Sequence, residues 1–218
     1  MKRTSLITNL SIALVLVVIS VAVFSADLER VYTTVSAPIN SGNKNSKNAS
    51  FMICVETDTD GAVLDAISAA LAAKNCSATF FLAGSWVMKN PLRLNKLLAL
   101  EFEIGNLGFS GKIFKGQKTE KQKQEILDTH TLVKGMTGVD MKLFTPPDAK
   151  YDKNTLKTAG ALGYTVVAPS KASAGAKNGD LVLVCPREVT AADFEAKIDT
   201  YLQLGFGLVK VSENIVFV

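Results

Sequence analysis

Short apolar runs alternate with helical patterns from residue 51 to the C terminus, and this alternation constrains the fold more than any other feature of the chain. It is typical of a parallel sheet built from strand–helix units. Seven runs are predicted as strands: 51–55, 78–82, 102–105, 142–144, 164–168, 181–185 and 208–211. A chain of 218 residues, 48% of them hydrophobic, can bury one substantial core, so we expect one folded domain.

Polar residues at characteristic positions predict where the helices between these strands begin. Capping residues satisfy the free N–H groups of a first helical turn. They are Asn90 before Pro91, Asp152, and the capping-box spacings Thr119 to Gln122 and Thr190 to Asp193. The stretch 169–179 is rich in Ala, Ser, Gly and Lys and too short for a helix with two turns, so one crossover helix is expected to be missing.

The N-terminal segment has the pattern of an export signal or a membrane anchor. Met1-Lys2-Arg3 is followed by a mostly apolar stretch to Phe24. The core 12–24 is short for a membrane span and favours a cleaved signal, whereas extension back to Leu6 reaches the length of a spanning helix. We therefore predict a signal peptide or transmembrane anchor over 1–25, with the rest of the chain outside the cytoplasm, tethered to the membrane or secreted.

The next segment, 26–50, has no apolar periodicity and contains a polar low-complexity run at 41–48. This composition predicts a flexible linker, so the folded domain is expected over 51–218. Cys54, Cys76 and Cys185 form no spaced framework, and their odd number leaves at least one thiol unpaired. We interpret them as small buried hydrophobic residues.

A net charge of +4 and a pI near 8.9 permit attraction to anionic polymers without identifying one. No pattern of a nucleic-acid-binding module is present, so no nucleic-acid partner is expected. Lysines cluster after the third predicted strand, at 112, 115, 118, 121 and 123. We interpret them chiefly as a solvated loop and helix start, with contact to an anionic glycan as the alternative. His130 shares a helical stripe with Ile126 and Val133, which predicts a half-buried packing residue.

Five segments together resemble the polysaccharide deacetylases, the NodB-homology group of carbohydrate esterases, and in particular its membrane-anchored sporulation-type members. The segments are Val55-Glu56-Thr57-Asp58-Thr59-Asp60-Gly61, Ser77-Ala78-Thr79-Phe80-Phe81, Glu103-Ile104-Gly105-Asn106, Leu143-Phe144-Thr145-Pro146-Pro147 and Leu183-Val184-Cys185. The resemblance implies an irregular (β/α)7 barrel, here trimmed in its later crossovers. It also implies a metal-dependent site at the carboxyl ends of the strands.

The first of these segments departs from the family pattern Thr-Phe-Asp-Asp-Gly. Matching its ends places Asp58 at the Phe, Thr59 at the Asp that acts as general base, and Asp60 at the Asp that binds the metal. A threonine hydroxyl has no pKa that would make it a base near neutrality. Asp58 could substitute only from a neighbouring position that faces the other way on an extended strand.

The remaining family positions are altered as well. Leu107 and Gly111 stand where the resemblance expects two histidine ligands, and neither side chain has an electron pair to donate. Thr145 replaces the arginine before Pro146-Pro147-Asp148, and Cys185 replaces the last histidine. Asp60 alone would not retain zinc, so we expect no intact catalytic group and no metal cofactor.

Three functions are compatible with these losses. The first is a non-catalytic member that binds or scaffolds a glycan of the cell wall or spore envelope. The second is an active deacetylase of an N-acetylated glycan such as peptidoglycan, with zinc or another divalent metal held in a site rearranged around Asp58, Asp60 and Asp148. The third is a regulatory partner of an intact homologue. Glu56, Asp58, Asp60 and Gly61 also match a calcium-loop spacing, but Ile67 stands where the bidentate glutamate belongs.

Overall fold

The computed structural model describes residues 37–171 and 175–215 and places seven parallel strands in one curled sheet. The strands are β1 (Asn48–Val55), β2 (Thr79–Leu82), β3 (Glu103–Asn106), β4 (Leu143–Phe144), β5 (Thr165–Val166), β6 (Asp180–Val184) and β7 (Gly207–Leu208). All seven predicted strands are confirmed, with ends that differ by up to three residues.

Helices connect most of these strands and pack on the outer face of the sheet. They are α1 (Gly61–Ala73), α2 (Gly84–Lys89), α3 (Pro91–Ala99), α4 (Thr119–Thr137), α5 (Lys153–Ala161), α6 (Ala191–Gln203) and α7 (Val211–Asn214). Two 3-10 turns, Pro147–Ala149 and Pro186–Glu188, follow β4 and β6. In the described part of 169–179 there is no helix between β5 and β6, which agrees with the predicted loss of one crossover helix.

The strand order is β5-β4-β3-β2-β1-β6, and β7 pairs with the start of β1. On β1, Ile53 lies in register with Phe80 on one side and with Val184 on the other. The sheet curls into a half-barrel of the predicted (β/α) type. Because every pairing is parallel, the carboxyl ends of the strands gather at one edge, and the loops that follow them form one face of the domain.

The two edges of the sheet are connected by the segment that precedes β1. Ile39 forms a parallel bridge with Val167, beyond β5, and Ser170 binds Leu181 of β6 through its backbone N–H at 2.8 Å. The Ser170 hydroxyl in turn donates to the Asn40 carbonyl at 2.9 Å. The predicted flexible linker 26–50 is therefore wrong over 37–50, where the chain hydrogen-bonds to the domain, and 26–36 lie outside the described residues.

Aromatic side chains hold α6 against the outer face of β1. The ring of Phe51 lies 5.3 Å from that of Phe194 and 5.5 Å from that of Tyr201, and Phe51 is fully buried. Burial of a side chain of this size stabilises the fold by about 2–3 kcal/mol. This contact fixes the central strand, and with it the loop that follows β1.

Two of the four predicted helix starts are confirmed in full. Asp152 and Thr190 each form a capping box with the residue three positions on. The capping box predicted at Thr119 is wrong, because α4 begins with Lys118 as its cap and the Gln122 amide donates to the Phe114 carbonyl at 2.8 Å. Asn90 precedes α3 as predicted, but its side chain forms no cap hydrogen bond.

Across 37–171 and 175–215, no helix is long and apolar enough to cross a membrane. The predicted leader 1–25 lies outside these residues.

Asp152 caps α5 and also binds the loop that precedes α4. Its substitution therefore tests both contacts. Its carboxylate accepts from the backbone N–H groups of Gly116, at 2.8 Å, and Thr155, at 2.9 Å. We expect Asp152→Ala to lower the free energy of unfolding by about 1–2 kcal/mol in urea denaturation, because both N–H groups lose their acceptor.

The backbone hydrogen bonds from Gly116 and Thr155 lower the pKa of Asp152 below its ordinary value. A lowered pKa adds stability above the unfolded-state pKa and loses it as pH falls. Asp152→Asn keeps an acceptor oxygen without the charge, so its deficit relative to wild type should shrink as pH drops below about 4. A deficit that stays constant from pH 7 to pH 3 would contradict this account.

Candidate functional site

The loop after β1 is closed by Thr59, the residue at the family's general-base position. Its hydroxyl accepts from the backbone N–H of Glu56 at 2.8 Å, and its own N–H donates to the Glu56 carbonyl at 3.1 Å. The Thr59 carbonyl accepts from the indole N–H of Trp86 at 3.0 Å. Thr59 is buried and forms part of a tight turn, so its side chain performs a structural task at this position.

Asp60 caps the helix that follows. One carboxylate oxygen accepts from the backbone N–H of Ala62 at 2.8 Å, which satisfies a free donor of the first turn of α1. The guanidinium of Arg93 packs over Gly61 so closely that a Cβ there would lie 2.2 Å from the Arg93 Cζ atom. Asp58 and Asp60 are both exposed on this loop.

The loop after β3 contributes no metal donor from the two predicted ligand positions. Leu107 is fully buried in the core, and its N–H donates to the Leu82 carbonyl at 3.1 Å. Gly111 has a φ of +67°, and a Cβ built on it would lie 3.6 Å from the Thr57 methyl carbon. The loop after β3 thus lies against the loop after β1, as a site shared by the two loops requires. Leu107 and Gly111, however, have no side-chain atom that could bind a metal.

The turn after β4 contains the altered Arg-Pro-Pro segment. Thr145 is fully buried and its hydroxyl donates to the Val167 carbonyl at 3.0 Å. Pro146 and Pro147 are also buried and lead into the 3-10 turn, where exposed Asp148 adopts a left-handed φ of 55°. The threonine therefore ties β4 to the strand beside it, and the proline turn presents the Asp148 carboxylate at the carboxyl-terminal face.

A charge cluster occupies the same face, and two of its members were not predicted as site residues. Arg187, in the turn after β6, pairs with the carboxylate of Glu56 and lies 3.5 Å from that of Asp148. Burial raises the pKa of Glu56, although the Arg187 guanidinium acts in the opposite direction. The cluster joins the ends of β1, β4 and β6 around one cation.

The sequence contained little signal for this cluster. The family pattern directs attention to Cys185 and not to the arginine two residues later, and Glu56 entered only as a calcium-loop position. Ile67, where that loop would need a glutamate, is fully buried. Among the described His, Cys, Asp and Glu side chains, no group of three or more is arranged to hold a metal ion.

All three cysteines are free thiols. Cys54 and Cys76 are buried, as predicted, and Cys185 is half-buried just beyond β6. Burial raises the pKa of Cys54 well above its ordinary value and that of Cys185 to about 11. Neither thiol is therefore activated as a nucleophile, because the reactive thiolate is disfavoured.

His130 lies on α4, away from the strand ends. Its ring nitrogens lie 2.6 Å from the Tyr164 hydroxyl and 3.3 Å from an Asp140 oxygen, and its side chain is half-buried. The prediction of a packing residue is confirmed.

Three cavities of about 530, 390 and 560 Å³ lie elsewhere on the domain. The first lies between β6 and α6, beside the position of the missing crossover helix, and the third is lined by polar residues that include Lys44, Lys171 and Lys177. None of the three is lined by a predicted site residue.

Comparison with known proteins agrees with this fold. A family model described as polysaccharide deacetylase matches residues 43–167. An uncharacterized protein of Bacillus subtilis, YlxY, is 26% identical over 192 residues, which is 81% of this chain and 60% of that protein. The peptidoglycan-N-acetylglucosamine deacetylase PgdA of Listeria monocytogenes is 22% identical over 209 residues, 89% of this chain and 45% of that protein. The chain thus spans about half of the length of these curated relatives.

Solved structures show the same fold at low sequence identity. A CE4 family pseudoenzyme from Bacillus anthracis has a TM-score of 0.74 at 20% identity, covering 82% of this chain and 68% of that one. A family 4 carbohydrate esterase from the same species has a TM-score of 0.73 at 21% identity, covering 88% and 91% of the two chains.

Removal of the central cation should destabilise the charge cluster. We expect Arg187→Met to lower the free energy of unfolding by about 1–3 kcal/mol at pH 7, because Glu56 would be left as a buried, unpaired carboxylate. Solvent screening limits the loss to this range, since 44% of the Arg187 side chain is exposed. Lys150→Met, which removes a surface partner of Asp148, should change it by less than about 0.5 kcal/mol.

The pairing of Glu56 with Arg187 also predicts how the free energy of unfolding changes with pH. A raised pKa on Glu56 means that stability is lost as pH rises above about 4.5, and Arg187→Met should steepen that loss because the opposing guanidinium is gone. Urea unfolding at pH 4.5 and pH 7 measures the difference, and Glu56→Gln in the same background should abolish the extra slope. Equal slopes in wild type and Arg187→Met would contradict the pairing.

Proposed function

Because the chain belongs to the polysaccharide deacetylase family, and because its altered site residues serve the fold, we propose that it is a non-catalytic member that binds or scaffolds an N-acetylated glycan. The glycan belongs to the cell wall or the spore envelope. In this proposal the domain lies outside the cytoplasm, held at the membrane by the N-terminal segment, and uses no metal cofactor.

One observation carries the proposal: two of the three positions expected to bind the metal have no donor atom in their side chains. Leu107 is fully buried in the core and Gly111 has a backbone conformation that favours glycine, so Asp60 remains as the single donor of the three, with one of its oxygens capping α1. A zinc site needs three or four donors in a fixed geometry. This arrangement supports loss of the metal and, with Thr59 closing a turn, loss of the base.

Similar proteins supply a precedent and a substrate class. One similar solved structure is described as a family pseudoenzyme, and a mutant of that protein is described as having restored enzymatic activity. The Listeria relative is named for deacetylation of peptidoglycan N-acetylglucosamine. These descriptions apply to those proteins, and they support peptidoglycan as the first ligand to test here.

Exposed polar groups at the carboxyl-terminal face are suited to hydrogen-bonding of sugar hydroxyls. Asp58 and Asp148 are exposed, Tyr151 is half-exposed, and the buried Pro146-Pro147 turn fixes the position of Asp148. Polar rims of this kind bind sugars weakly, with dissociation constants of about micromolar to millimolar.

Two other functions are distinguished by their own measurements. An active deacetylase would need Asp58, Asp60 and Asp148 to gather around a metal, whereas the Asp60 carboxylate caps a helix and that of Asp148 faces Arg187. A regulatory partner of an intact homologue would bind that homologue and no sugar, so a glycan pull-down separates it from the first proposal.

Binding to insoluble peptidoglycan tests the proposed role of the rim. We expect the full chain, in non-ionic detergent, to co-sediment with peptidoglycan, and Asp148→Ala to weaken this binding about tenfold or more because a hydrogen-bonding carboxylate is lost. Asp60→Ala should weaken it as well. Asp60→Ser keeps a helix-capping oxygen and so separates a lost sugar contact from a weakened helix.

Asp148→Gly, which removes the carboxylate but accepts the left-handed φ of 55°, should weaken binding to the same extent, which separates a lost sugar contact from a strained turn. Sedimentation that is insensitive to Asp58, Asp60 and Asp148 substitutions would contradict glycan binding at this face.

Restoration of the chemistry should need several changes together. We expect Thr59→Asp, Leu107→His, Gly111→His and Thr145→Arg in combination to confer zinc-dependent deacetylation of chitin oligomers, and partial sets to fail, because a metal without a base leaves the difficult step uncatalysed. The combination should also be less stable, since a histidine at the left-handed Gly111 costs about 1–2 kcal/mol. Deacetylation by the unmodified chain above a chelator-treated control would contradict the non-catalytic proposal.

A further inference from the structure

The positive charge of the chain is concentrated in two short segments, 112–123 and 150–157. Together they contain eight lysines and two acidic residues, a net charge of +6, whereas the remainder of the chain carries −2. The lysines are at 112, 115, 118, 121, 123, 150, 153 and 157, and all are exposed. We call these two segments the lysine patch.

The fold brings the two segments into direct contact, which their separation in sequence does not indicate. The Gly116 N–H donates to the Asp152 carboxylate at 2.8 Å, and the Thr119 hydroxyl donates to the Asn154 side-chain oxygen at 2.9 Å. The Asn154 amide also donates to the Gln117 carbonyl at 3.3 Å. The N-terminal ends of α4 and α5 therefore lie side by side, with lysines on both.

The acidic groups at this surface are mostly engaged elsewhere. Asp152 accepts from backbone N–H groups, Glu125 pairs with Lys121 while accepting from Ser110, and Asp148 faces Lys150 and Arg187. Glu120 is exposed and is the one remaining carboxylate of the two segments. Six lysines, at 112, 115, 118, 123, 153 and 157, have no ion pair among the described residues.

The chemistry of the patch restricts its partner. It contains no arginine, so it lacks the planar fork that reads carboxylate or base geometry, and a lysine ammonium acts as a point charge. Its two aromatic residues do not form a stacking platform, because Phe114 is fully buried and Tyr151 is half-buried. Such a surface attracts regularly spaced anions on a flexible backbone without reading bases.

We propose that the lysine patch binds a flexible phosphate-bearing polymer that carries no bases, and that this contact is separate from the proposed glycan contact at the carboxyl-terminal rim. Neutralisation of several phosphates releases counterions, so the affinity falls steeply with salt. The patch would hold the domain on an anionic polymer while the rim contacts sugar. The proposal does not depend on glycan binding, because the six lysines without an ion pair among the described residues are not rim side chains, although Lys150 and Tyr151 adjoin the rim.

The test uses long-chain inorganic polyphosphate as the probe and the full chain in non-ionic detergent. Calorimetric titration compares wild type with a patch variant, Lys115→Gln, Lys118→Gln and Lys153→Gln. The matched control is Lys44→Gln, Lys171→Gln and Lys177→Gln, which removes the same charge from exposed lysines that also lack an ion pair among the described residues. Thermal unfolding of each variant verifies that it is folded.

We expect the patch variant to bind polyphosphate about tenfold or more weakly at low salt, and the slope of log affinity against log salt to flatten by about two. The control should change the affinity less than about twofold. Equal weakening by both variants would overturn the proposal in favour of net charge alone, and so would the absence of binding by wild type. Tighter binding of polyuridylate than of polyphosphate at equal charge would overturn it in favour of a nucleic acid.

Discussion

The parallel pairing of β1 on both sides is the constraint on which the rest of the structure depends. It aligns β1 with β2 and β6, so the loops after these strands meet at one face. The chain leaves β1 through a turn closed by Thr59 and enters a helix capped by Asp60. Thr59 and Asp60, at two positions that the family uses for chemistry, thus both take part in the connection between β1 and α1. The Thr59 hydroxyl accepts a backbone hydrogen bond within the turn, and one of the two Asp60 carboxylate oxygens caps the helix.

The buried carboxylate at this face has a partner within the protein. A buried carboxylate is costly unless it is paired, and Glu56 is paired with Arg187 and lies near Asp148 through the same guanidinium. This pairing joins the loops that follow β1, β4 and β6. The cation is the guanidinium of Arg187, in the turn that follows β6.

Most of the fold could be predicted from the sequence, because parallel strands buried on both faces appear as apolar runs separated by polar turns. All seven strands and the capping boxes at Asp152 and Thr190 follow from local patterns. The misses were long-range. The segment 37–50 has a composition typical of a linker, but its backbone bridges the two sheet edges, and no local signal marks such a contact. Gln122 has capping-box spacing, yet its amide binds the Phe114 carbonyl. Arg187 was missed because it reaches Glu56 only through the pairing of β6 with β1, and that pairing has no signal in the local sequence.

Zinc affinity tests most directly whether this chain has lost the family's metal site. Calorimetric titration of the metal-stripped full chain with zinc should show no saturable site at micromolar concentrations, whereas Leu107→His with Gly111→His should create one, because two nitrogen donors would then join the Asp60 carboxylate. A stoichiometric zinc site in the unmodified chain, lost on Asp60→Ser, would contradict the account.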